Sequence, residues 1–273
     1  MKLSLVVQTP EVPRTIPVAL LTGTLEEKLI KAAQWGADGV ELMTTEPTKL
    51  DGGKICSFMR TNNLRASAIA SGAIAFAFGM TLVHTDPKKA RQAKNRLIEL
   101  IDFAETIQAP IVTIGSFRGQ MGPIEGDGRK RLSEILSEAA EYAHPRSVRL
   151  ALEPTNRYEN DFIVNSKQGL EFIQEINHPA IGLLLDTFHI NIEESSWTEP
   201  LRRVMKAGKL WHIHLGDNNR LPPGQGLIDF TAIVRTLHEI GYNGYISAEL
   251  LAKPDPDTAA KQTLTYMRSL AEQ

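Results

Sequence analysis

In the C-terminal half of the chain, four short apolar runs each carry an acidic or imidazole side chain at or near their end. Leu152-Glu153-Pro154 closes one run and Leu185-Asp186-Thr187 the next; His212-Ile213-His214 lies in a third, and Ala248-Glu249-Leu250 closes a fourth. Any one of these would be an ordinary loop or capping residue. Together, at equivalent places in four consecutive runs, they form a donor set of three carboxylates and an imidazole. An oxygen-rich set with one nitrogen suits a single hard or borderline divalent ion, Mn²⁺ ahead of Mg²⁺, Co²⁺ or Zn²⁺. Side chains alternate along a strand, so His212 and His214 share a face. Either can be the ligand, with the other a supporting or core histidine.

The runs that must position these residues are Leu3–Val7, Gly39–Met43, Arg65–Ala70, Ile111–Ser116, Arg149–Pro154, Ile181–Asp186, Leu210–Gly216 and Tyr245–Leu250. Their lengths and β-branched content are those of buried parallel strands. Helical patterns fill the gaps. Thr24 with Glu27 makes a capping-box start, and Gly36 stands where a helix would stop. Asp86-Pro87 opens the longest helix, with Ala93, Leu97, Leu100, Ile101 and Ala104 at helical spacing. Leu237-His238-Glu239-Ile240-Gly241 ends another, and Asn243-Gly244 turns the chain into the last run. Eight strand–helix repeats in about 250 residues read as an α/β fold, a single (β/α)8 TIM barrel, with one domain over residues 1–273. A doubly wound sheet would carry a Gly-rich loop after its first strand, where this chain has Gln8-Thr9-Pro10-Glu11. In such barrels the site lies at the C-terminal ends of the strands, where the four residues fall.

Composition narrows the function. The 273 residues are 42% hydrophobic and 23% charged, and the net charge of −2 leaves no basic footprint for nucleic acid. The single Cys56 cannot form an internal disulfide and suits a reducing compartment. The run after Lys2 is too short for a signal sequence or a membrane span. A cytoplasmic protein without a membrane partner is expected.

The segments Glu153-Pro154-Thr155-Asn156-Arg157-Tyr158-Glu159, Asp186-Thr187-Phe188-His189 and His214-Leu215-Gly216-Asp217-Asn218-Asn219-Arg220 carry a resemblance. Through them the chain resembles the xylose-isomerase-like barrels and, within these, the D-tagatose/D-psicose 3-epimerase branch. Gly36-Ala37-Asp38-Gly39-Val40-Glu41-Leu42 is common to the wider superfamily and says little about substrate. The resemblance implies Glu153, Asp186, His214 and Glu249 as metal ligands, with Glu153 and Glu249 also the catalytic pair. It implies Glu159, His189 and Arg220 as groups that hold the sugar's oxygens.

The implied chemistry is isomerisation or epimerisation of a small keto-sugar, most specifically at C3 of a ketose, through a metal-stabilised cis-enediolate. A proton alpha to a ketone is too weakly acidic for a carboxylate in water; Lewis-acid stabilisation of the enediolate oxygens lowers that barrier. A positioned carboxylate then suffices as general base. The Asp217–Gly226 loop offers one arginine and no lysine, which favours a free sugar over a phosphorylated one. An inosose dehydratase-like lyase and an epimerase of phosphorylated ketoses are the alternatives on the same barrel. An AP-endonuclease-like nuclease is more remote, because it would need more histidine ligands and a basic groove. The apolar stretch 70–79 reads as a loop that is either a hydrophobic lid or a packed connection. A homo-oligomer associating through the outer helices is expected by analogy.

Overall fold

Eight strands pair in sequence order, and the last returns to the first: β1 (Lys2–Gln8), β2 (Gly39–Met43), β3 (Arg65–Ala70), β4 (Ile111–Ile114), β5 (Arg149–Leu152), β6 (Ile181–Asp186), β7 (Leu210–Leu215) and β8 (Tyr245–Ala248). All pairings are parallel, and β1 bonds to both β2 and β8, so the barrel is closed. This computed structural model describes residues 1–271.

Alternation sorts each strand between two cores. In β1, Leu3, Leu5 and Val7 face outward with Leu97, Leu100, Ile101 and Ala104 of the helix Pro87–Ile107 in the main apolar cluster. Ser4 turns the other way and meets Ser67 of β3, Oγ to Oγ at 2.7 Å. The barrel interior also holds Glu41, Thr113, His212 and Ser247, all buried. Branched aliphatic side chains usually fill such an interior. Here a polar layer lies beneath the C-terminal rim.

The local signals act as their chemistry requires. The Thr24 hydroxyl accepts from Glu27 N while Glu27 accepts from Thr24 N, closing the capping box of helix Leu25–Gln34. Gly36 follows that helix at φ +84°, a conformation that costs glycine little. Asp86 caps Lys88 N, and Pro87 opens the 21-residue helix Pro87–Ile107.

Three sequence expectations shift. β5 and β8 end before Pro154 and Leu250, although Glu153 N still bonds Ile114 O (2.9 Å) and Glu249 N bonds Leu215 O (3.1 Å). Both glutamates therefore extend the ladder by one residue onto the rim. The stretch read as a loop at 70–79 contains a helix, Gly72–Phe78, ended by Gly79 at φ +58°. Alternating alanines favour helix, and its own Ala73 and Ile74 are buried. Ten α-helices, not eight, surround the barrel among the described residues, since short ones follow β3 and β6.

Candidate active site

Strand register brings the four rim residues together. Asp186, the last residue of β6, pairs with His214 of β7, and His214 pairs with Ser247, two residues before Glu249. One donor atom from each of Glu153, Asp186, His214 and Glu249 can be chosen so that all lie within 4.8 Å of one another. His214 Nδ1 is 3.6 Å from Glu153 Oε1 and 3.5 Å from Glu249 Oε2. Buried polar atoms are normally paired. Glu153 Oε1 and His214 Nδ1 nevertheless have no hydrogen-bond partner among the described residues, although both are buried. Two orphaned donor atoms aimed at one point, within a set of three carboxylates and an imidazole, fit a divalent ion.

The set leaves open which histidine takes part, and the geometry separates the two. His212 Nε2 lies 2.8 Å from Glu41 Oε2, and its ring sits deeper in the barrel. His214 Nε2 lies 3.1 Å from both Glu41 oxygens, and its Nδ1 faces the carboxylates of the rim. β2 and β7 are separated around the barrel by β8 and β1, so Glu41 reaches them through the interior. Burial works to raise the Glu41 pKa, but the His214 and His212 rings beside it hold the carboxyl well below the usual range. Burial likewise works against a proton on His214, and Glu41 and Glu249 reverse this, raising its pKa well above the ordinary value. A cation is favoured at this spot.

Arg220 spans two of the carboxylates. Its guanidinium donates to Asp186 Oδ2 at 2.6 Å and to Glu249 Oε2, and it stacks 4.7 Å over the Phe188 ring. Burial works to raise the Glu249 pKa, but His214 and Arg220 hold it down at about 2. The buried Asp217 carboxylate gathers the loop behind Arg220, accepting from Gly224 N, Gly226 N and Ile228 N at 2.8–3.1 Å.

The segments 153–159 and 186–193 hold each other. Asn156 Nδ2 lies 2.8 Å from His189 Nδ1 and donates to Glu159 Oε1 at 2.9 Å. Arg157 forks onto Glu193 at 2.8 and 2.9 Å. His189 Nε2 is thereby left 3.8 Å from Glu153 Oε1. Asp186 Oδ1 accepts from Phe188 N at 2.8 Å, and this fixes the start of the short helix carrying His189.

The site opens into a cavity of about 340 Å³, lined by Glu153, Glu159, His189, His214, Arg220 and Glu249 on one side. Ile16, Val18, Met43, Ala73 and Phe76 form the opposite wall. All the proposed site residues except Asp186, which lies beneath Arg220, line this space. Sequence reasoning missed Glu41, Asn156, Arg118 and Gly115. Arg118 is fully buried and donates to Glu153 O (2.7 Å), Gly115 O (3.0 Å) and Thr155 Oγ1 (2.8 Å). A Cβ on Gly115 would collide with Glu153 Oε2. A charged residue in the middle of an apolar strand, as at Glu41, was the available signal; Arg118 and Gly115 gave none.

A closed parallel barrel with a carboxylate–imidazole cluster on its C-terminal rim defines a class of metal-assisted barrel enzymes. The chain belongs to the xylose isomerase-like TIM barrel family, whose model matches residues 29–270. It is 28% identical over 246 residues to the L-ribulose 3-epimerase of Methylomonas sp. (strain DH-1), covering 88% of this chain and 82% of the relative. It is 27% identical over 222 residues to the ketose 3-epimerase of Arthrobacter globiformis, covering 80% and 75%. The crystal structure of D-psicose 3-epimerase with D-tagatose from Clostridium cellulolyticum H10 superposes with a TM-score of 0.79. That match is 21% identical and covers 99% of both chains, which establishes the shared fold.

Proposed function

We propose that this protein is a metal-dependent ketose 3-epimerase acting on a free sugar. The observation that carries the reading is the convergence of Glu153 and Glu249 on one imidazole nitrogen, at 3.6 and 3.5 Å, in a cavity of sugar size. The named activities of the relatives support it.

Glu153, Asp186, His214 and Glu249 would hold one divalent ion, Mn²⁺ ahead of Mg²⁺, Co²⁺ or Zn²⁺. Such an ion supplies Lewis-acid stabilisation of the negative charge that develops on the carbonyl and neighbouring hydroxyl oxygens. The side chains do the rest. One of the two glutamates takes the proton from C3 and the other returns a proton to the opposite face. A carboxylate held as low as Glu249 is a weak base, so its placement against the C–H must compensate. Glu159, His189 and Arg220 bind and orient the sugar's oxygens. His189, kept in place by Asn156, presents Nε2 toward Glu153 and the substrate.

A free sugar is favoured by the wall opposite the acidic cluster, which is apolar. Arg220 is the one lysine or arginine lining the cavity among the described residues, and it is engaged by Asp186 and Glu249. No helix among the described residues is long and apolar enough to cross a membrane. The reading is completed by a cytoplasmic location, one domain over residues 1–273 and a homo-oligomer formed through the outer helices, with no nucleic-acid partner.

The test is proton exchange. Mn²⁺-loaded protein is incubated with ketohexoses and ketopentoses in D₂O, and C3 is followed by NMR. Deuterium at C3, lost in Glu249→Gln, is the expected result. Absence of exchange with every free ketose would overturn the reading and move the assignment to a phosphorylated ketose or a dehydratase.

A further inference from the structure

A second cavity of about 360 Å³ adjoins the first, and Ser116 and Glu159 line both. It lies at the same end of the barrel, beyond the turn Ser116–Arg118 that follows β4 and beneath the 79–85 segment. The first cavity, at the low end of the roughly 300–1,000 Å³ typical of small-molecule sites, already has room for one ketohexose. The reaction proposed above gives the second no task.

Its lining has the character of a carbohydrate site. Among the described residues neither lysine nor arginine lines it, which disfavours a phosphate or a carboxylate. Hydrogen-bonding groups come from Thr85, His84, Gln120 and Ser116, set against the apolar surface of Val83 and Ile124. His84 accepts from Asp86 N through Nδ1 (2.8 Å), which leaves Nε2 for a ligand. Glu159 accepts from Asn156 through one oxygen, so its other oxygen is available at the junction of the two spaces. A neutral polyhydroxyl group, with polar edges and a C–H face, matches such a mixture of partners.

We infer that the second cavity is a subsite for a glycosyl substituent on the reacting ketose, with Glu159 at the junction between the two sugar units. The inference rests on the 3-epimerase reading and extends its substrate class from free ketoses to ketoses that also carry a neutral sugar.

The test compares free ketohexoses with ketose disaccharides whose C3 hydroxyl is free: lactulose and maltulose, glycosylated at O4, and isomaltulose, at O6. Incorporation of deuterium at C3 gives kcat/KM for each. At least one disaccharide is expected to exchange with kcat/KM equal to or above that of the free sugars. Gln120→Trp and Thr85→Trp, at exposed positions lining only the second cavity, should lower kcat/KM for that disaccharide tenfold or more and leave the free sugars within twofold. Exchange of free ketoses but of no disaccharide overturns the subsite alone. So does a disaccharide rate that neither tryptophan changes. Exchange of no ketose of either kind removes the epimerase reading and the subsite with it.

Discussion

The Glu41 carboxylate lies 3.1 Å from His214 Nε2, on the opposite side of the ring from the Nδ1 that faces Glu153 and Glu249. An imidazole that donates from one nitrogen to a carboxylate has its tautomer and orientation fixed, and its other nitrogen becomes a better metal donor. Glu41 serves both histidines of β7 at once, and its own charge is stabilised by them in a fully buried position. A charge at such a place is tolerated only when its partners are close and well aligned.

Glu41→Gln tests this arrangement. The amide keeps the volume of the carboxylate but removes the charge and replaces one of its two acceptor oxygens with an NH₂ donor. Mn²⁺ affinity, measured by competition with a chelator, should fall about 10–100-fold. Circular dichroism should report a retained fold. An unchanged affinity would reduce Glu41 to a packing role.

Gly115→Ala separates stability from activity. The new methyl would press on Glu153 Oε2, the far end of a flexible side chain, which can swing aside at little cost to the fold. The carboxylate would then leave the position from which it faces the substrate, and a displacement of this size costs on the order of 100-fold in rate. The denaturation midpoint should stay close to that of the parent while C3 exchange falls by that factor. Loss of both together would instead place the role of Gly115 in the backbone.

Arg118→Met probes the support beneath Glu153. The guanidinium donates to the carbonyl oxygens of Glu153, Gly115, Phe162 and Ile163, tying the turn after β4 to the segment after β5. Burial pushes its pKa down to about 10, so it stays charged at neutral pH. Methionine fills much of the volume but leaves several buried carbonyls unpaired, at roughly 1–3 kcal/mol each. Urea denaturation should show a loss of at least about 3 kcal/mol, and a loss under 1 kcal/mol would mean that water replaces the guanidinium.

These residues mark the boundary of what the sequence reveals. The barrel and its rim set were legible because strand alternation and run length are local properties, and Glu153, Asp186, His214 and Glu249 repeat one local pattern. The capping box at Thr24 and the Asp86-Pro87 start were legible for the same reason. The Glu41–His212 bond joins residues 171 apart, and no local signal specifies its partner. Arg118 follows a four-residue strand in a short turn, where a buried arginine and an exposed one read alike. The helix Gly72–Phe78 was missed because its apolar run lacks helical periodicity, since one of its faces lines the cavity.

A final prediction concerns the closure of the barrel's outer layer in acid. Asp257, in the first turn of helix Pro256–Ala271, accepts from Thr22 N (2.8 Å), Thr22 Oγ1 (2.7 Å) and Lys31 Nζ (2.6 Å). It thus ties the last helix to the segment after β1. Partial burial works to raise its pKa, but the bonds from Lys31 and Thr22 prevail and hold it below its ordinary value of 3.8. A carboxylate depressed in the folded state contributes stability that is fully present above the unfolded value. That contribution is lost as pH falls through the folded one. Asp257→Asn should therefore destabilise the protein by about 1 kcal/mol at pH 7, a modest figure because the pair is partly exposed and screened by solvent. Below about pH 4 the difference from the parent should shrink as the parent's own Asp257 becomes protonated. Thermal denaturation of both proteins in a pH series checks this, and a difference that stayed constant down to pH 3 would show that the tie does not depend on the charge of Asp257.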